Sequence, residues 1–257
     1  MKMRIGSSLI GISTIILATL TINASNPRWN SDILIYEGGV TCFDVDYTMD
    51  GKMFIGFQKN EGPNYNIVFC TSSDHGLTWN VRYDNPSLGK ISKMDIIVGE
   101  PVYNYLYFFF RNPLDSFPYV WRIDTGFVGP GEGFLIDNEI IDGEGLCATR
   151  AIESYYKLVF AATHPDTGPL GPYHSINTYT SGNYGETWDY VAYSVSTNDF
   201  SKNEFSLAWG PPDNFYLAYV GYETSYNPDD ADIRIFYSLN NGVIWDWTGD
   251  ITDNNFR

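Results

Sequence analysis

One octapeptide constrains this chain more than any other feature: Ser72-Ser73-Asp74-His75-Gly76-Leu77-Thr78-Trp79. It returns as Ser181-Gly182-Asn183-Tyr184-Gly185-Glu186-Thr187-Trp188 and, more loosely, as Ser238-Leu239-Asn240-Asn241-Gly242-Val243-Ile244-Trp245. The shared rule is S-x-[DN]-x-G-x-[TI]-W. Asp or Asn at the third position can hydrogen-bond the backbone two residues on, and Gly at the fifth supplies positive φ. The Thr–Trp end then resumes an extended strand, so each copy predicts a hairpin turn. The tryptophan is expected to bury its apolar area against a neighbouring unit, its indole N–H finding a carbonyl. A repeated unit that cannot bury its own face alone holds a repeat fold together. Asp74, Asn183, Trp79 and Trp188 are therefore assigned to the scaffold and not to catalysis.

The rest of the chain keeps the same time. Aromatic residues make up 17% of it, Gly and Pro punctuate it at short intervals, and no useful helical period follows the first two dozen residues. The class is all-β. Aligning the most hydrophobic strands at Met53, Leu106, Leu158 and Leu217 gives spacings of 53, 52 and 59 residues. Each period holds four short strands. In the first unit these are 43–48, 52–58, 66–71 and 79–83; in the third, 147–153, 157–163, 175–180 and 188–193; in the fourth, 205–209, 215–222, 233–237 and 245–251. The second unit supplies 94–98, 105–111 and 119–123, but Asp124-Thr125-Gly126 keeps only the turn and no tryptophan follows it. Four-stranded antiparallel units at such a period, arranged radially, are the blades of a β-propeller. The expected blades span residues 40–86, 90–137, 145–196 and 203–252.

The octapeptides resemble the Asp-box (BNR) repeat of β-propellers such as sialidases, sortilin-type receptor ectodomains and many secreted bacterial proteins. The resemblance covers the scaffold from about residue 30 to 251. It implies that residues 27–37, an extra outer strand with Trp29 ahead of it, complete a last blade, as leading strands do in closed propellers of this type. The fourth unit already has its own outer strand, which leaves two arrangements. Either about four blades of a larger, six- or seven-bladed propeller are present, or the extra strand packs on a small four-bladed one; the range of about four to eight blades and the kind of repeat favour the first. Sialidases also carry an Arg-Ile-Pro motif, three arginines that grasp the substrate carboxylate, and a Tyr/Glu nucleophile pair. The early region 33–46 has no arginine here, and only Arg111 and Arg150 suggest themselves near a channel. No catalytic residue is carried over.

Residues 1–24 have a basic start, an apolar middle and Ile22 and Ala24 at the −3 and −1 positions, the pattern of a secretory signal peptide cleaved after Ala24. Its rival is an uncleaved anchor. Residues 25–257 are then the propeller domain. Removing the leader, with its Lys2 and Arg4 and no acid, takes the net charge from −16 to −18. Such a surface repels nucleic acid and anionic membranes, so neither is expected as a partner, and no membrane insertion is expected after cleavage. Cys42, Cys70 and Cys147 have no zinc-site spacing. Cys42 and Cys70 fall on the first and third strands of one sheet, too far apart for easy bridging, so buried inert thiols are expected.

Candidate chemistry sits where innermost strands and the loops entering them line a channel: Asp44, Asp46, Lys93, Asp95, Arg150, Glu153 and Glu204. Asp46 and Asp95 with Arg150 have the residue types of a glycoside-hydrolase site, one carboxyl as acid, another as base or nucleophile, and an arginine for an anionic sugar. The competing and favoured reading is that alternating polar residues simply meet channel water. The acidic loops 137–144 and 227–232 could chelate calcium, yet neither follows a regular ligand loop, and solvated loops are the simpler reading. His75, His164 and His174 are scattered over turns, so neither a metal nor another cofactor is expected. The Tyr-rich stretches 103–107 and 222–226 offer stacking platforms for sugars or anchors for a protein, or else are strand filler. Taken together, the chain is expected to be an exported, non-catalytic propeller presenting loops to a glycan or an extracellular protein. The alternatives are a fragment of a sialidase-like hydrolase and a scaffold in envelope assembly.

Overall fold

The predicted units fold as four separate antiparallel sheets, and every element among the described residues is a strand. The structure is a computed structural model that describes residues 14–17, 20–21, 28–29, 33–86, 89–99, 104–126, 129, 131–141, 145–151, 157–168, 171–191, 195–196, 200–211, 214–222, 231–240 and 242–250. Four short strands come first: β1 (Thr14–Leu17), β2 (Leu20–Thr21), β3 (Arg28–Trp29) and β4 (Ile33–Glu37). Blade 1 is β5 (Gly39–Tyr47), β6 (Met53–Glu61), β7 (Asn64–Ser72) and β8 (Asn80–Pro86), and blade 2 is β9 (Met94–Val98), β10 (Tyr105–Arg111), β11 (Pro118–Asp124) and β12 (Glu132–Leu135). Blade 3 is β13 (Leu146–Arg150), β14 (Leu158–Gly168), β15 (Gly171–Ser181) and β16 (Asp189–Tyr190), with β17 (Val195–Ser196) also on β15. Blade 4 is β18 (Phe200–Gly210), β19 (Asn214–Tyr222), β20 (Ala231–Ser238) and β21 (Asp246–Asp250). The first strand of each blade touches the first strand of the next, which makes β5, β9, β13 and β18 the inner wall of a β-propeller arc.

Strand periodicity decides which blade meets which. Side chains on a strand alternate between the two faces of its sheet, and each middle blade is apolar on both. Phe54 and Phe69 of blade 1 pack on Met94, Ile96 and Phe108 of blade 2. The opposite parity of blade 2, Ile97 and Phe109 among them, packs on Leu158, Phe160 and Tyr179 of blade 3. Val159, Ala161 and Ile176 on the far side of blade 3 meet Phe205, Phe215 and Leu217 of blade 4. Burying both faces explains why β6, β10 and β14 read as nearly unbroken hydrophobic runs.

The three octapeptides are closed by one hydrogen-bond pattern. Ser72 Oγ accepts from Gly76 N at 2.8 Å and donates to Asp74 Oδ1 at 2.7 Å, while Thr78 N donates to Asp74 Oδ1 at 2.8 Å. In the second copy Ser181 and Asn183 take the same partners, Gly185 N at 2.9 Å and Thr187 N at 3.0 Å; in the third, Ser238 and Asn240 take Gly242 N at 2.9 Å and Ile244 N at 2.7 Å. The acid or amide thus reaches the N–H four residues on, not two, and the serine two positions before it spans the same four residues to the glycine N–H. Gly76, Gly185 and Gly242 have φ of 85, 78 and 82°, where a Cβ is strained. Trp79 and Trp188 donate their indole N–H to Gly76 O at 3.0 Å and Gly185 O at 3.1 Å, within their own turns. The Trp188 ring reaches the neighbouring blade, edge-on to Phe109 with centroids 5.8 Å apart.

Three expectations change. Blade 2 has an outer strand after all, β12, although no tryptophan announces it. The described residues of the 27–37 stretch, 28–29 and 33–37, do not pair with the edge of a blade: β4 pairs with β1, and β3 with β2, as separate two-stranded sheets. From there Ile35 and Tyr36 pack against Ile55, Phe57, Val68 and Cys70, the side of blade 1 that no other blade covers among the described residues. In the fourth blade the residue equivalent to Met53 and Leu158 is Phe215, not Leu217, because Phe215 stands opposite Ser238 as those two stand opposite Ser72 and Ser181. All three cysteines are free, and Cys42 is only partly buried. Burial raises the Cys42 and Cys70 thiols to about 11 and keeps them protonated.

Candidate functional site

The channel residues are placed by the inner strands, and most of them turn out to fasten blades. Asp44 Oδ2 accepts the Ile96 amide of the next blade at 2.7 Å, and Asp46 Oδ2 accepts the Val98 amide at 2.8 Å. One blade further on, Asp95 Oδ2 accepts the Ala148 amide at 2.7 Å. Asp44 and Asp95 occupy equivalent positions, opposite Gly56 and Phe109, and the next equivalent is Cys147, whose sulfur receives the Leu207 amide of blade 4. Each inner strand thus satisfies an otherwise orphaned amide on the following one, worth about 1 kcal/mol net when made and more to lose.

Arg150 crosses the channel. Its Nη1 meets Asp46 Oδ2 at 2.5 Å and its Nη2 meets Tyr47 O at 3.4 Å, tying the end of β13 in blade 3 to the end of β5 in blade 1. Lys93, just ahead of β9, holds its ammonium 5.5 Å above the Phe205 ring. Asp95 is raised well above the ordinary carboxylate range, first by burial and then by the charge of Asp44 and a hydrogen bond with it. It therefore keeps its proton where an exposed aspartate has lost it, and Lys93 offsets only part of this. A group whose folded pKa lies above its unfolded value destabilises the fold as pH rises between the two. Asp95→Asn keeps an acceptor for the Ala148 amide and has no proton to lose. The variant is expected to gain thermal midpoint over the parent at pH 8, and the gap should close toward pH 4. Midpoints measured across that range check this.

The expected trio is therefore split: Asp46 and Arg150 come together, whereas Asp95 pairs with Asp44. Glu153 and the 223–230 part of the second acidic loop and Tyr stretch lie outside the described residues, and the side chains of His174, on β15, and Glu204, on β18, do too. Arg111 is not in the channel; its Nη2 donates to Ser116 Oγ at 2.6 Å within the blade 2 loop. His75 sits in the first hairpin at φ 56°. His164 is buried beside Tyr179, whose hydroxyl lies 2.9 Å from His164 Nε2 and donates to Asp137 Oδ2 at 2.6 Å. Burial lowers His164 to about 4, so the imidazole is neutral. The first acidic loop thus spends Asp137 on Tyr179, and Glu139 lies 3.7 Å from His164. Among the described residues no three His, Cys, Asp or Glu side chains are grouped to hold a metal. Tyr105 and Tyr107 are strand filler: Tyr107 is buried, and Tyr105 lies under a guanidinium.

That guanidinium, Arg122, is the residue the sequence did not single out. It sits in β11 at a position of hydrophobic parity, between the rings of Tyr105 at 4.6 Å and Phe134 at 4.9 Å. Nη2 meets Glu132 at 2.6 Å, while Nη1 donates to Tyr184 O at 3.2 Å and to Glu186 at 3.1 Å. Tyr184 and Glu186 belong to the second octapeptide, so blade 2 grips the hairpin of blade 3. An arginine inside an apolar strand flanked by aromatics was the available signal.

Neither protein-family models nor curated protein sequences match the chain. Solved structures do. A protein of unknown function from Dyadobacter fermentans superposes with a TM-score of 0.52 at 16% identity, over 93% of this chain and 73% of that one. An α-L-arabinofuranosidase from Fusarium graminearum, solved with an iminosugar inhibitor, superposes at 0.55 and 12% identity, over 84% and 67%. A thermostable family-43 glycoside hydrolase superposes at 0.53 and 12%, over 88% and 83%. At these identities the likeness is one of fold.

Proposed function

We propose that this chain is an exported Asp-box propeller that binds a glycan through the loops around its channel without cleaving it. The observation that carries the reading is how the described channel carboxylates, Asp44, Asp46 and Asp95, are used. Glycoside hydrolysis sets two carboxyls on either side of the scissile bond, about 5–5.5 Å apart for retention or 6.5–9.5 Å for inversion. Asp44 and Asp95 instead share a hydrogen bond, each also holds a neighbouring amide, and Asp46 is neutralised by Arg150. The glycan is suggested by the arabinofuranosidase and the glycoside hydrolase that share the fold. Export is suggested by residues 1–24, and N-terminal sequencing of the mature protein is expected to begin at Ser25.

The protein is expected to retain glycans on an array while leaving fluorogenic sialosides, arabinofuranosides and xylosides unturned. The hydrolase reading draws on one observation, the raised Asp95, because a general acid needs a pKa lifted toward neutrality. Steady turnover that disappears in both Asp95→Asn and Arg150→Ala would establish that reading instead. A silent array with a captured envelope protein would point to the scaffold role.

A further inference from the structure

The first acidic loop and blade 3 build a polar gap away from the channel carboxylates. Residues 137–141 follow β12 on the way to β13, and His164 lies on β14 two residues past Ala162, the partner of Leu146 at the start of β13. The gap is therefore at the end of the blades opposite the octapeptides, whose second copy leaves β15 at Ser181, beside Leu158. His164 is 4% exposed, whereas the Glu139 side chain and Tyr190 at the mouth are 65% and 52% exposed.

The proton positions follow from the partners. Tyr179 has one hydroxyl hydrogen and gives it to Asp137 Oδ2, a carboxylate that only accepts, at 2.6 Å. His164 Nε2, 2.9 Å from the same hydroxyl oxygen, is then the donor of that second bond. Burial keeps the imidazole neutral, its pKa lowered to about 4, so Nδ1 is left with a lone pair and no hydrogen. That lone pair lies 3.7 Å from Glu139 Oε2, and no hydrogen bond joins them. Two acceptors thus meet across a space that needs donors, and an unanswered acceptor on a buried ring is costly.

The surroundings select the donor. Tyr190 lies on Tyr179 with ring centroids 5.6 Å apart, and burial, then the charges of Glu139 and Asp137, raise its hydroxyl above the ordinary tyrosine range. The ring therefore stands beside both carboxylates. No lysine or arginine occurs in residues 123–149 or 158–201, and Arg111 of the adjoining blade 2 loop directs Nη2 to Ser116 and makes no ion pair with either acid. An anionic ligand would meet only repulsion. A single hydroxyl has one hydrogen and answers one acceptor, whereas two adjacent hydroxyls answer both and leave an apolar ring face for the tyrosine.

We propose that the gap between Glu139 and His164 is a subsite for a neutral sugar, which donates two adjacent hydroxyls to Glu139 and His164 Nδ1 and lays a ring face on Tyr190. This rests on the glycan-binding reading above and gives it a place, the loop entering blade 3, and a ligand class that leaves out acidic sugars.

Nitrogen NMR of histidine-labelled protein tests the geometry before any ligand is added: at neutral pH His164 is expected to carry its proton on Nε2 and none on Nδ1. A proton on Nδ1 overturns the proposal. Titration with methyl β-D-galactoside, methyl α-D-mannoside, methyl β-D-xyloside, glucosamine and sialyllactose should then move the Nδ1 resonance with at least one neutral glycoside, and less or not at all with the amino and acidic sugars. No response to any of the neutral glycosides overturns it, as does a larger response to glucosamine or sialyllactose. Glu139→Gln, whose amide can donate to Nδ1 and fill the gap from within, and Tyr190→Ala are each expected to weaken glycan binding more than about tenfold with little change in thermal midpoint. Glycan binding that persists in both variants sinks this subsite and leaves the glycan-binding reading standing, whereas a protein that binds no glycan at all sinks both.

Discussion

Truncating Phe160 to alanine is expected to cost about 3–5 kcal/mol of folding stability, enough to unfold a marginal domain. Phe160 is fully buried at the joint between blades 2 and 3. Its ring stacks on Phe109 at 5.6 Å, lies 6.0 Å from Tyr179 and meets Trp188 edge-on at 6.4 Å. Strand pairing on both sides fixes the backbone, so the site cannot collapse around the void and the cavity term adds to the lost transfer energy. Phe160→Leu keeps most of the volume and should cost less than about 1.5 kcal/mol. Urea titrations of the two variants, read as midpoint shifts at unchanged slope, check the difference.

Replacing Arg122 with alanine is expected to cost about 2–4 kcal/mol, chiefly through packing and not through its ion pairs. Glu132 and Glu186 are 65% and 51% exposed and return to water when the arginine leaves, so their loss is small. What cannot be replaced is the guanidinium between Tyr105 and Phe134 and its bond to Tyr184 O. Arg122→Lys should recover little, because an ammonium has neither the flat faces nor the fork. Arg122→Met should recover part of the packing and none of the contact to the hairpin. The same denaturation assay, with Trp188 fluorescence reporting the blade 2–3 joint, ranks the three.

The scaffold was legible wherever a constraint repeats in sequence. The octapeptides fixed the hairpins because each position has a local partner, Ser72 with Gly76 or Asp74 with Thr78. Their spacing of 57 residues between Ser181 and Ser238 was a better ruler than hydrophobicity, since Leu217 and Phe215 are equally apolar and only the register separates them. The outer strand of blade 2 goes unannounced in the sequence for a physical reason. Its turn carries Gly131 at φ 78°, where a Cβ would collide with the Trp121 indole, so the tryptophan stands in the strand before the turn and not after it. The channel was the least legible part. An aspartate that accepts an amide from another blade looks, in sequence, the same as one that meets water or a substrate. Asp44 and Ile96 are joined across one whole repeat, and nothing local records the bond. Aligning the inner strands would have exposed Asp44, Asp95 and Cys147 as one column, with sulfur as the odd member.

The closing residue of the first hairpin is an acid, whereas the other two copies use asparagine in the same geometry. The bonds from Thr78 and Ser72 hold the Asp74 carboxyl down to about 2. A depressed carboxylate stabilises the fold above its ordinary value and loses that contribution as pH falls through the folded one. Asn183 and Asn240 do not titrate. Acidification below about pH 4 therefore loosens the fastening of blade 1 before it touches those of blades 3 and 4, giving the arc a weak end and a durable end in acid.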